Sequence, residues 1–243
     1  MNPDGTISWR ELLAEAVARL DGSGVTETPE SDARRIIEAA SGASPAELFL
    51  QLDDLATERG VAHFDSMVSR RLTGEPLQYV IGSWGFRTLD LMVDARVLIP
   101  RPETEFVVEV ALDELDRVGG SERPTTVVDL GTGSGAIGLS ITAERVRTSV
   151  WITDASSDAL EVARANIAGL GRAGARVSSA LGNWFEALPG ELSGAVDMII
   201  SNPPYIPDST GLPAQVAEGE PSGALRSGAE GLNDFRLIIS SAP

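Results

Sequence analysis

Apolar residues recur at helical spacing through the first third of the chain and in short, strand-length runs through the remainder. Ser8-Trp9-Arg10-Glu11 forms a capping box, after which Leu12, Leu13, Ala16, Val17 and Leu20 keep to one helical face until Gly22 and Gly24. Thr28-Pro29 opens a second helix carrying Ala33, Ile36, Ile37 and Ala40, closed by Gly42. Ser44-Pro45-Ala46-Glu47 starts a third with proline at its first position. A fourth follows Thr57, with Val61, Phe64, Met67, Val68 and Leu72 inward. The pattern predicts a helical bundle over residues 1–73, near the lower size limit for independent folding at roughly 70 residues. It carries no group of evident chemistry, so packing or partner recognition is its expected work.

After Gly74-Glu75-Pro76 the period changes. Short apolar pieces with Gly82, Gly85 and a Leu89/Leu91/Val93 alternation predict a hairpin-like connector over 74–99. Pro100-Arg101-Pro102-Glu103-Thr104-Glu105 makes a stiff corner into a helix with Phe106, Val107, Val110, Ala111 and Leu115 inward. Such a corner either simply starts the helix or also walls a ligand cleft. Strands then alternate with helices: Thr126-Val127-Val128-Asp129-Leu130, Val150-Trp151-Ile152-Thr153, a third from Val177 to Leu181 and a fourth from Val196 to Ile200. Residues 100–243 are therefore expected to form an α/β domain, a parallel sheet with helices on both faces.

The fourth strand stops at Ser201-Asn202-Pro203-Pro204-Tyr205, because prolines cannot continue it. Open α/β sheets bind ligands at the carboxyl ends of their strands. Asn202 offers an amide acceptor there, the prolines fix the backbone and leave carbonyls free, and Tyr205 offers a flat face. Together they suit a planar NH2 group held by both hydrogens. The plainer alternative is a proline turn after a strand.

Composition narrows the chemistry. No cysteine is present, which excludes disulfides, thiolate nucleophiles and thiolate metal sites. Met1-Asn2-Pro3-Asp4-Gly5 has no basic, apolar signal sequence, and no apolar run approaches a membrane span. A cytoplasmic protein is expected. The formal charge of −17 disfavours a direct grip on nucleic acid and favours a protein or small-molecule substrate. The single histidine, His63, falls in a helical pattern far from the Pro-Pro motif, where a surface or core role is the simpler reading.

Gly131-Thr132-Gly133-Ser134-Gly135 follows the first strand of the α/β part, where glycines let backbone approach a ligand. Gly133, Gly135 and Gly138 also satisfy the dinucleotide-binding spacing, so an oxidoreductase is a competing class. Asp129, just before the glycines, suits a cationic ligand better than a pyrophosphate. Asp154, ending the next strand, is placed for two ribose hydroxyls. Each acid has an alternative role as a cap. Asn183-Trp184-Phe185 puts an amide and an aromatic at the same rim, where Trp184 either flanks an adenine or packs in the core. An adenosine moiety, a cationic centre and an NH2 clamp together indicate S-adenosylmethionine-dependent N-methylation.

The chain resembles the protein-(glutamine-N5) methyltransferases that act on class-1 peptide chain release factors. The resemblance spans nearly all of it, through the helical N-terminal part, Glu75-Pro76-Leu77-Gln78-Tyr79, Leu98-Ile99-Pro100-Arg101-Pro102-Glu103-Thr104-Glu105, the glycine-rich loop, Asn183-Trp184-Phe185 and Asn202-Pro203-Pro204-Tyr205. The last motif is shared with nucleic-acid N-methyltransferases, which form the alternative reading; the Pro-Arg-Pro stretch is far more specific. The resemblance implies a Rossmann-like methyltransferase fold whose N-terminal bundle recognises the substrate protein. It implies methylation of the glutamine in a Gly-Gly-Gln motif. Gly131, Thr132, Gly133, Ser134, Gly135, Asp154, Asn183, Trp184 and Asn202 would hold S-adenosylmethionine, and Asn202, Pro203, Pro204 and Tyr205 the glutamine, with Asn202, Pro203 and Tyr205 catalytic. Asn183 stands where the family often has aspartate, although its oxygen can still accept. The family also continues into further strands beyond a helix like the one read over 231–241, so residue 243 is not expected to be the natural terminus. A binding module that keeps the fold without the chemistry is the third possibility.

Overall fold

A computed structural model describes residues 6–119 and 122–242. The N-terminal five residues, read above as lacking a signal, lie outside them. The chain divides into two compact units, Met1–Gly82 and Ser83–Pro243.

The first unit holds α1 (Trp9–Ser23), α2 (Pro29–Ser41), α3 (Pro45–Gln51), α4 (Glu58–Leu72) and α5 (Leu77–Ile81). The capping boxes at Ser8/Glu11 and Ser44/Glu47 both form. Its core gathers Trp9, Leu12, Leu20, Ile36, Ile37, Phe64, Met67 and Val68. Within it the Arg71 guanidinium meets the Asp32 carboxylate at 2.8 Å, both side chains buried, and Arg71 also donates to the Glu75 carbonyl. Such a pair is costly to break from one side, since the survivor is left charged in apolar surroundings. His63 is exposed on α4.

The stretch 77–98 differs from its sequence reading. Leu77–Ile81 is a helix, capped by Gly82 in the left-handed region (φ 83°) and contributing Val80 to the first core. Only β1 (Ser83–Phe86) and β2 (Leu89–Met92) form the hairpin. Five residues with two buried side chains satisfy one helical turn as well as a strand, and packing decides.

The second unit continues with α6 (Pro102–Arg117), β3 (Thr125–Leu130), α7 (Ala136–Glu144), β4 (Thr148–Asp154), α8 (Ser157–Gly169), β5 (Val177–Leu181), β6 (Met198–Ser201), α9 (Ala214–Gly219) and α10 (Asn233–Ser241). The sheet runs β5-β4-β3-β6 with every pair parallel. Val127, Leu139, Ile141, Val150 and Ile152 sit at its core. β6 starts two residues later than the apolar run suggests. Asp197 leaves the strand because its carboxylate takes the Thr126 N–H (2.8 Å) and pairs with Arg123 (2.6 Å), which also holds it below the usual carboxylate pKa, first through the Arg123 hydrogen bond.

A second correction concerns α6. Its buried residues are Thr104, Val108, Ala111, Leu112 and Leu115, whereas Phe106 and Val110, expected inward, are 66% and 44% exposed. No helix among the described residues is long and apolar enough to cross a membrane.

Candidate active site

Two cavities open where the strands of the second unit end. The larger, about 480 Å³, lies over the carboxyl ends of β3, β4 and β6, a size suited to a cofactor. The loop after β3 contributes Gly131, Thr132, Gly133 and Ser134 to its wall. Gly131 has φ 68°, and a Cβ there would approach the Trp184 ring to 3.1 Å, so glycine is what lets the indole lie against the loop. Gly135 does not line the cavity: with φ 89° it caps α7, and a Cβ would press to 2.8 Å from Leu139. Asn166 steadies the loop from behind, donating to the Ser134 carbonyl at 2.9 Å while also holding Met92.

Asp129 is placed differently from its sequence reading. Instead of facing a cationic ligand, it is fully buried beneath the loop and does not line the cavity. Its Oδ2 accepts the Thr132 hydroxyl (2.5 Å) and the Gly138 N–H (3.0 Å), and its Oδ1 has no partner among the described residues. Burial pushes the carboxyl up to about 6, against the pull of both hydrogen bonds and aided by the nearby Asp154 charge. Asp129 thus braces the loop from beneath.

Asp154, at the end of β4, lines the cavity. Its Oδ2 takes the Gly133 N–H and its Oδ1 the Ser156 N–H, each at 2.9 Å, which fixes the carboxylate and leaves each oxygen further acceptor capacity. After β5, Asn183 and Trp184 reach the same wall. Trp184 is half-buried with φ 41°, a left-handed conformation unusual for tryptophan, and it belongs to neither core cluster. Core packing is therefore not its role.

Asn202, Pro203 and Pro204 follow β6 into the cavity. The Asn202 Nδ2 donates to the Thr104 hydroxyl at 3.4 Å, leaving its Oδ1 and the Pro203 carbonyl without partners among the described residues. A segment distant in sequence holds the motif in place: Ile206 bridges Arg226, and Gly231 presses so close to the Tyr205 carbonyl that a Cβ would stand 2.3 Å from it.

The smaller cavity, about 200 Å³, shares part of its wall with the larger one. Arg101, Thr104, Asn202 and Pro203 line both, while Glu103, Val107, Tyr205 and Ile206 line only the smaller. Sequence reasoning left open whether Pro100 and Arg101 only start the helix or also wall a cleft; they do line the cavity, and what anchors them was missed. Glu220 is almost fully buried, accepting the Ile99 N–H (3.2 Å) and an Arg101 Nη2 hydrogen (2.5 Å). It thereby ties the lining residues Pro221, Gly223 and Ala224 to that corner. One glutamate before a proline carries no pattern that would have found it.

The residues present fit S-adenosylmethionine. The wall combines a glycine cradle, a fixed carboxylate at a strand end, an aromatic face and a free amide acceptor. Parallel sheet and site together define an S-adenosylmethionine-dependent methyltransferase of the Rossmann-like fold. The PrmC N-terminal domain family matches residues 11–82, and the methyltransferase small domain family matches residues 109–217. Relatives named release factor glutamine methyltransferase include those of Moorella thermoacetica (39% identical, covering 97% of this chain and 81% of the relative), Xylella fastidiosa strain Temecula1 (40%, 96% and 78%) and Agrobacterium fabrum (36%, 98% and 81%). The chain belongs to the release factor glutamine methyltransferase family.

Proposed function

We propose that this protein transfers a methyl group from S-adenosylmethionine to the side-chain amide nitrogen of a glutamine, in the Gly-Gly-Gln motif of class-1 peptide chain release factors. The observation that carries the proposal is the wall common to both cavities, where Asn202 Oδ1 and the Pro203 carbonyl stand unpartnered between a cofactor-sized chamber and a smaller one. The relatives' shared name supports the choice of substrate.

Gly131, Thr132, Gly133, Ser134 and Gly135 would form or shape the cradle for S-adenosylmethionine, Asp154 would accept its ribose hydroxyls, and Asn183 and Trp184 would hold its adenine. When bound, S-adenosylmethionine supplies an electrophilic methyl group on a cationic sulfur. An amide nitrogen is a poor nucleophile because its lone pair is delocalised into the carbonyl. Asn202 Oδ1 and the Pro203 carbonyl accept its two N–H hydrogens, fixing the nitrogen and favouring the positive charge that develops there. Tyr205 stacks on the amide plane, with Pro204 bracing the turn. No strong base is needed, since a methylated amide cation gives its proton readily to water.

The helical N-terminal unit recognises the substrate protein, and the work is cytoplasmic, without direct nucleic-acid binding. A transfer assay with labelled cofactor, followed by mass spectrometry of the release factor, tests the whole reading. Label on any site other than the Gly-Gly-Gln glutamine overturns it.

A further inference from the structure

Helix α6 is apolar on two sides, and only one is covered. Phe106 and Val110, one turn apart, are both exposed. Glu103, Glu109 and Asp113 stand exposed beside them, and helical geometry places 103, 106, 110 and 113 along one line of about 15 Å. No ion pair among the described residues engages these three carboxylates; Glu109 is felt only at a distance, by Arg87. Arg117, farther along, is occupied by Glu114. The line starts at the smaller chamber, whose wall includes Glu103, Thr104 and Val107 of the same helix.

We propose that this outer face of α6 docks the stretch of substrate protein adjoining the methylated glutamine, and that this stretch joins basic to apolar side chains. The proposal rests on the glutamine-methylation reading above. Continuity with the acceptor chamber selects the occupant: a chain whose glutamine enters there must leave across its rim. Charge selects its chemistry. Three unpaired carboxylates on a chain of formal charge −17 attract a cationic segment and steer its approach. The same charges oppose a second copy of this chain, which would set carboxylate against carboxylate, and oppose a nucleic-acid phosphate. Phe106 supplies the large apolar anchor around which such interfaces concentrate their energy.

The test compares wild type with the F106S/E109K/D113K triple variant and a milder F106A/E109Q variant; none of these residues lines either cavity. KM and kcat are measured on an intact release factor and on a short Gly-Gly-Gln peptide, with calorimetric binding of the release factor alongside. The expected result is a tenfold or greater rise in KM and Kd for the intact protein in the triple variant and a smaller rise in the milder one. Peptide kinetics should stay within twofold. Added salt should weaken wild-type binding more than that of the triple variant. Intact-protein KM and Kd within twofold of wild type in either folded variant would overturn the proposal, as would an equal loss on the peptide. A wild-type dimer that the triple variant dissociates would also overturn it, assigning the face to self-association. Wild type that binds the release factor through this face but transfers no methyl would sink the functional reading and leave the docking face standing.

Discussion

The Asn202 side-chain nitrogen faces the Thr104 hydroxyl at 3.4 Å, which leaves the amide oxygen without a partner among the described residues, on a wall that lines both chambers. Thr104 is buried in the first turn of α6, and under the proposed amide clamp its position decides which end of a nearly symmetric amide meets the substrate. Thr104→Val removes that preference at constant shape and should lower kcat about tenfold, equivalent to about 1.4 kcal/mol, with little change in KM. Thr104→Ser should restore most of the rate. Asn202→Ala loses the acceptor itself and should cost on the order of 100-fold in kcat. Steady-state kinetics on all three variants decides the point; near-normal kcat in Asn202→Ala would rule out the amide clamp.

Asp154→Ala should weaken cofactor binding by about 1.5–3 kcal/mol, the worth of hydrogen bonds to a charged acceptor. Its carboxylate also fixes the Gly133 and Ser156 N–H groups, so Asp154→Asn, which keeps one acceptor oxygen, should fall between wild type and alanine. Isothermal titration measures the series, and unchanged affinity in a folded alanine variant would place the nucleoside elsewhere.

Asp129 makes stability depend on pH in an unusual direction. Its folded pKa of about 6 lies above the ordinary 3.8, so between these values the native state holds a proton that the unfolded chain releases. Its contribution is fully present below about pH 3.8 and is lost as pH rises through 6. The loss is on the order of 3 kcal/mol, at about 1.4 kcal/mol per unit. Asp129→Asn can keep the acceptor for Thr132 and Gly138 without the charge. Subtracting its urea-denaturation profile from that of wild type between pH 4 and 7 should reveal this slope; parallel profiles would show that Asp129 is not the source.

Removing Met1–Gly82 takes away one compact unit with its own core. Cofactor affinity of the remainder should stay within a few fold. Activity on the intact release factor should fall toward the level seen on a short glutamine peptide, because selectivity for one glutamine requires contacts remote from the reacting nitrogen. Full activity of a folded truncation would assign the helical unit some other purpose.

Much of this was legible locally. The caps at Ser8 and Ser44, the strands ending at Leu130 and Asp154, and the proline stop after Ser201 follow from neighbouring residues, since each rests on backbone geometry within a few positions. Those same signals carried Gly131, Asp154, Trp184 and Asn202 to one rim. What local pattern left open was decided by packing. α6 is apolar on two sides, so periodicity alone could not choose between Val108 and Phe106; the core it shares with α7 chose. A strand fixes which residues share a face but not which lie under a loop, so only the folded sheet put Asp129 beneath the glycines. Glu220 reached Arg101 across 119 positions and Thr104 reached Asn202 across 98. Side-chain hydrogen bonds act over about 3 Å, so only tertiary structure can bring such partners within range.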